Sequence, residues 1–123
     1  MTFKLSQRSL DRMKGVDQRL VNVVKRAIEI SEVDFMVTEG LRTKERQAQL
    51  VKAGASKTMN SKHLTGKAVD LAAVVGGQVR WDWPLYNKIA VVMKRAAEIL
   101  NVKIQWGGDW VTFKDGPHFE IKD

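Results

Sequence analysis

Apolar residues recur at spacings of three and four along residues 17–31, where Leu20, Val23, Val24, Ala27 and Ile28 form one stripe. That period predicts an amphipathic helix with a single buried face, and Asp17 stands where its N-cap belongs. Upstream, Ser6 predicts the cap of a short helix over residues 7–14, closed by Gly15. The pattern then shifts: residues 33–38 read as a strand that stops at Glu39-Gly40. A further helix is predicted over residues 43–53, capped by Thr43 and stopped by Gly54. Residues 68–75 are strand-like, and Gly76-Gly77 predicts a hairpin turn into residues 78–81. Pro84 suits the first turn of a long helix ending near Leu100. Short strands follow at residues 102–106 and 118–121, on either side of Gly107-Gly108. Helices alternating irregularly with short, partly hairpin-linked strands predict an α+β fold with a small central, mostly antiparallel sheet flanked by helices. No repeat or linker interrupts it, so residues 1–123 are expected to form one domain.

Composition narrows the chemistry. With 44% hydrophobic and 28% charged residues the chain matches an ordinary globular protein rather than a disordered one. It has no cysteine, which excludes disulfides, zinc fingers and thiol nucleophiles. The N-terminus carries no signal-peptide h-region, and no apolar run reaches the length of a membrane span, so no membrane insertion is expected. A net charge of +7 favours anionic partners, among them nucleic acid and a bacterial envelope. The basic residues are dispersed, however, and no nucleic-acid-binding signature accompanies them.

The two histidines of the chain both lie in glycine-bearing turns beside aspartates. His63 belongs to Ser61-Lys62-His63-Leu64-Thr65-Gly66-Lys67-Ala68-Val69-Asp70, where the strand after the glycine puts Ala68 and Asp70 on one face. His118 follows a Gly-Pro turn, three residues after Asp115. A catalytic zinc site takes three N or O ligands and leaves one position open. His63, Asp70 and His118 make up such a set, and Asp115 remains to act on water. Spacing alone leaves open that each histidine is an ordinary hydrogen-bonded residue. Among the four tryptophans, Trp106 and Trp110 flank the Gly-rich loop and are the groove candidates, with core packing the plain alternative. Glu120 shares the strand face of His118 and is expected to orient it.

At these positions the sequence resembles a known family. Ser61-x-His63-x-x-Gly66-x-Ala68-x-Asp70 is similar to the first motif of the zinc peptidases that include D-alanyl-D-alanine carboxypeptidases and dipeptidases. Asp115-x-x-His118 resembles the second motif of the L-alanyl-D-glutamate endopeptidase branch, the phage endolysins, whereas the dipeptidase branch usually carries Glu there. Glu39-Gly40-Leu41-Arg42-Thr43, Gln47 and Trp106-Gly107-Gly108-Asp109-Trp110 extend the likeness over nearly the whole chain. The resemblance implies a Hedgehog/DD-peptidase-like α+β fold, with Zn²⁺ held by His63, Asp70 and His118. It implies Asp115 as the acid that activates water and protonates the leaving amine, and Arg42 as oxyanion stabiliser. Gln47 is implied as a substrate-positioning residue and Ser61 in support. Arg42 also has a plain explanation, pairing with Glu39 or Glu45 at a helix start.

The activity so implied is hydrolysis of the L-alanyl-D-glutamate bond in the peptidoglycan stem peptide. The protein is then expected to act as a monomer, made in the host bacterial cytoplasm and released to the cell wall through a holin. With no room for a separate wall-binding domain, wall affinity is expected from the catalytic domain, aided by the positive charge. Two alternatives stay open: a D-alanyl-D-alanine carboxypeptidase or dipeptidase with the same zinc chemistry, and a non-catalytic basic binding module.

Overall fold

The computed structural model describes residues 3–56, 59, 61–112 and 114–122. Two helices open the chain. Helix α1 (Gln7–Arg12) is capped by the Ser6 hydroxyl, and α2 (Gln18–Ile30) by the Asp17 carboxylate. Strand β1 (Asp34–Glu39) leads to α3 (Lys44–Lys52), whose first turn is capped by Thr43. After a 3₁₀ turn at Lys62–Thr65 come the long strand β2 (Ala68–Val75), the short β3 (Gln78–Arg80) and helix α4 (Trp83–Leu100). Strands β4 (Ile104–Trp106) and β5 (His118–Ile121) close the chain, with a second 3₁₀ turn at Gly107–Asp109 between them.

The five strands form one antiparallel sheet in the order β1-β2-β5-β4, and β3 pairs with the far end of β2. Side-chain alternation divides it into two faces of opposite character. Phe35, Val37, Val69, Leu71, Ala73, Phe119 and Ile121 point to a common core. The predicted stripe of α2 and the apolar side of α4, with Ile89, Met93 and Ala97, cover that face. The other face carries Asp70, His118 and Glu120.

One irregularity decides what joins them. Between Val37 and Glu39 the register of β1 against β2 slips by one residue, so that Glu39, not Thr38, stands opposite Asp70. Such a bulge re-aims the side chains beyond it, and here it turns Glu39 onto the polar face. The predicted elements all form, with ends displaced by one or two residues. The chief exception is His63, read as a loop residue but carried on the 3₁₀ turn.

Candidate metal centre

Three separate pieces of chain deliver the two histidines and Asp70. Asp70 on β2 and His118 on β5 are direct cross-strand partners, so their side chains leave the sheet side by side. His63 comes from the 3₁₀ turn, where the Ser61 hydroxyl accepts a hydrogen bond from the His63 amide at 3.2 Å. Gly66 ends that turn at φ 74°, packed so closely that a Cβ would collide with the carbonyl oxygen of Gly15. Only glycine satisfies both conditions. The amide of Arg42 donates to the His63 carbonyl at 2.9 Å and ties the turn to the end of β1.

The tautomers follow from the partners. His63 Nδ1–H donates to the Gly40 carbonyl at 2.8 Å, which leaves Nε2 as the free donor atom. His118 Nε2–H donates to Glu120 Oε1 at 2.7 Å, which leaves Nδ1. Those two nitrogens lie 3.2 and 3.4 Å from Asp70 Oδ1. A tetrahedral ion with bonds of about 2.05 Å spaces its donors about 3.3 Å apart, so the separations suit such an ion. All three donor atoms lie within 4.8 Å of one another. Both imidazoles have their second nitrogen anchored, as metal-ligating histidines require. The set fits a divalent transition metal with N/O ligands.

Ionisation reflects the same contacts. Burial penalises the Asp70 carboxylate, but hydrogen bonds from His118 and His63 outweigh it and hold the group far below the usual carboxylate range. Burial likewise opposes the His118 cation, yet the bonds to Asp70 and Glu120 prevail and raise it to about 9. In the metal-free protein that shift favours the protonated imidazole. Glu120 is lowered despite its burial, by His118 and by Lys62. Asp115 moves the other way, raised first by burial and then by the negative charge of Asp70.

These groups line a cleft of about 440 Å³. Asp115 lies on its wall, held by its amide bonding to the Gly107 carbonyl at 3.0 Å and its carbonyl accepting from the His118 amide at 3.2 Å. Gly107 is needed there, since a Cβ would strike the Asp115 carbonyl oxygen. Arg42 also reaches the cleft but is held in a fork. Its Nε and Nη2 donate to the two oxygens of Glu39 at 2.8 Å each, Nη1 to Gln47 Oε1 at 2.7 Å, and Nη2 approaches Asp70 Oδ2 at 3.5 Å. The plain explanation, pairing with Glu39, thus holds alongside a place in the site.

Gln47 is fully buried beneath Arg42 and donates to the Ser56 hydroxyl at 2.8 Å, so it bears on the cleft through those two side chains. Ser61 lines the cleft while capping the turn. Trp106, expected in the groove, is instead a core residue. It is buried, its Nε1 donates to the Gly116 carbonyl at 2.7 Å, and its ring stacks on Phe119. Trp110 takes the groove position, with its ring centroid 5.1 Å from that of His118.

Sequence reasoning missed the Gly40 carbonyl, which has no side-chain signal at all. It missed Tyr86 as well, whose ring packs against Gly116 and whose phenol is pushed up to about 12 by burial and by the charges of Asp115 and Asp82.

Comparison with known proteins bears on this arrangement. Residues 1–122 match the family described as phage L-alanyl-D-glutamate peptidase. An L-alanyl-D-glutamate peptidase of Escherichia phage T5 is 33% identical over 99% of this chain and 91% of its own length. One from a Listeria phage is 34% identical over 98% of this chain, which spans only 43% of that longer protein. The crystal structure of the Serratia marcescens L-Ala D-Glu endopeptidase ChiX superposes with a TM-score of 0.92. Its identity is 45%, over 98% of this chain and 91% of the other.

Proposed function

The chain belongs to the phage L-alanyl-D-glutamate peptidase family, and from that premise we propose that it is a zinc-dependent peptidoglycan endopeptidase that hydrolyses the L-alanyl-D-glutamate bond of the stem peptide. The observation that carries the reading is the donor triangle of His63 Nε2, Asp70 Oδ1 and His118 Nδ1, with Asp115 on the same cleft wall. Zinc, when bound, supplies Lewis-acid polarisation and lowers the pKa of water to about 7.

The remaining work belongs to the chain. His63, Asp70 and His118 hold the ion, and Gly40 and Glu120 fix which nitrogen each imidazole presents. Asp115 accepts the proton of the attacking water at its carboxylate and returns it to the departing amine. In the metal-free protein burial shifts its carboxyl upward, and that burial, which a bound ion does not remove, favours a base able to return the proton as an acid. Arg42 has one Nη1–H beyond its bonds to Glu39, Gln47 and Asp70, and this is the donor it offers to the developing oxyanion. Its larger contribution is to hold Asp70 Oδ2, so that Oδ1 faces the histidines. Gln47 acts by fixing Arg42, Ser61 by fixing His63. Trp110 supplies an apolar wall for the stem peptide.

On this reading the protein works as a monomer on the cell wall, reached from the host cytoplasm through a holin. Among the described residues no helix is long and apolar enough to cross a membrane.

The test is digestion of purified peptidoglycan with and without a chelator, followed by identification of the new amino termini. N-terminal D-Glu that disappears on chelation and returns with added zinc is the expected result. Released D-Ala instead identifies a D-alanyl-D-alanine peptidase, and no release at all leaves only a binding module. Asp115→Ala should lose at least a hundredfold in kcat while binding zinc normally. Near-normal turnover in that variant would move the base to another carboxylate.

A further inference from the structure

The role of Lys62 rests on the endopeptidase reading, which makes a demand on the cleft that the catalytic groups do not meet. In an L-alanyl-D-glutamate stem the residue on the leaving side bears a carboxylate one carbon from the scissile nitrogen. That anion must be seated a few ångströms from the cut bond. The cleft is already lined by Glu39, Asp70, Asp115 and Glu120, and an added anion with no cation to meet it carries a heavy desolvation and repulsion cost.

Apart from the donor triangle, the described basic side chains that line the cleft are Arg42 and Lys62. Arg42 is committed: its side chain is only 8% exposed, four of its five N–H groups go to Glu39, Gln47 and Asp70, and the fifth is the one offered to the oxyanion. Lys62 differs. Its Nζ donates to the Ile121 carbonyl at 2.5 Å and lies 3.3 Å from Glu120 Oε2, while a third of the side chain stays open to solvent at 33%. An ammonium has three donors, so one remains.

Lys62 lines the same cleft as the donor triangle. Lys62 precedes His63 in the chain, and Glu120, which it pairs, bonds His118 Nε2 through its other oxygen. The ammonium therefore sits one carboxylate away from the metal ligands. Because Ile121 and Glu120 already hold the four-carbon stem in place, a ligand meets a preorganised cation.

We propose that Lys62 is the residue that selects D-Glu, binding its free α-carboxylate with the remaining N–H of the ammonium. The site thereby prefers a stem with an acidic second residue over one in which that carboxyl is amidated.

Two synthetic muramyl pentapeptides ending in D-Ala-D-Ala test this, identical except that the α-carboxyl of D-Glu is free in one and amidated in the other. The zinc-loaded wild type should favour the free acid by about ten- to a hundredfold in kcat/KM, the scale of a charged hydrogen bond. Lys62→Met should bring the ratio to within about twofold, mostly through KM on the acidic substrate. A merely structural Lys62, acting through Glu120 and His118, would slow both substrates alike and keep the ratio, and that result overturns the proposal. If Lys62→Met does not fold, Lys62→Gln carries the test. It keeps a polar side chain without the charge and should narrow the preference in the same way, and an unchanged ratio there counts equally against Lys62. Equal cleavage of both stems by the wild type overturns the Lys62 assignment alone. Cleavage of neither, with D-Ala released instead, overturns the endopeptidase reading and this proposal with it.

Discussion

At the scale of single residues the centre is governed by where protons sit. His118 donates from Nε2 to Glu120 and keeps Nδ1 beside Asp70, so in the metal-free protein two carboxylates stabilise its cation and raise it to about 9. The sign of the consequence is fixed. An unfolded chain has His118 near its ordinary value of 6.5, so folding strengthens proton binding. The associated stability is complete below about pH 6.5 and is lost as the pH climbs through 9. Its size is on the order of 3 kcal/mol. We expect the imidazole of metal-free protein, followed by NMR, to titrate near pH 9 and urea stability to fall across the same interval. Glu120→Gln should lower the midpoint. A midpoint near 6.5 in the native chain would show that Asp70 and Glu120 do not hold the proton. Zinc removes the effect, because binding at Nδ1 needs the neutral ring and displaces that proton.

At the scale of elements, what was legible in the sequence and what was not divides along local and non-local lines. Strand β2, the stripe of α2 and the caps at Ser6, Asp17 and Thr43 could be read because each depends on residues a few positions apart. Asp70 and His118 could be proposed as a pair from the resemblance, but their meeting depends on the β2–β5 register, which no local pattern encodes. The bulge that turns Glu39 toward Asp70 is likewise a property of two strands together. Trp106 and Trp110 looked equivalent, and only the packing of β4 on Phe119 sends one inward and leaves the other in the cleft. The 3₁₀ turn of His63 is too short to leave a periodic signal, yet its glycine was visible and is open to test. Gly66→Ala places a Cβ at φ 74° against the Gly15 carbonyl. We expect a loss of about 1–3 kcal/mol from backbone strain, read as a lower urea midpoint, together with weaker zinc binding because His63 moves with the turn. Unchanged zinc affinity would mean that the turn does not position His63.

The whole molecule sets a dry face against a charged one. Helices α2 and α4 seal one side of the sheet with the apolar core, and that side needs no ion. The other side concentrates Glu39, Asp70, Asp115 and Glu120 around Arg42 and Lys62, inside a protein whose net charge is +7. Positive charge thus predominates outside the cleft, where an anionic wall would be met, and negative charge inside it, where a divalent cation relieves the repulsion. Stability should track this division. With free zinc at a hundred times its Kd the folded state gains about 2.7 kcal/mol, which for a domain of this size raises Tm on the order of 10 °C. Chelation should reverse the gain, and hydrogen exchange should show where it falls. Residues 39–43, 61–70 and 115–120, which surround the donors, should exchange faster without metal. The amides of α2 and α4, packed on the far face, should keep their protection. Loosening spread evenly over both faces would instead mean that the ion supports the core, and that sheet and cleft are one cooperative unit rather than a rigid floor with a metal-tied wall.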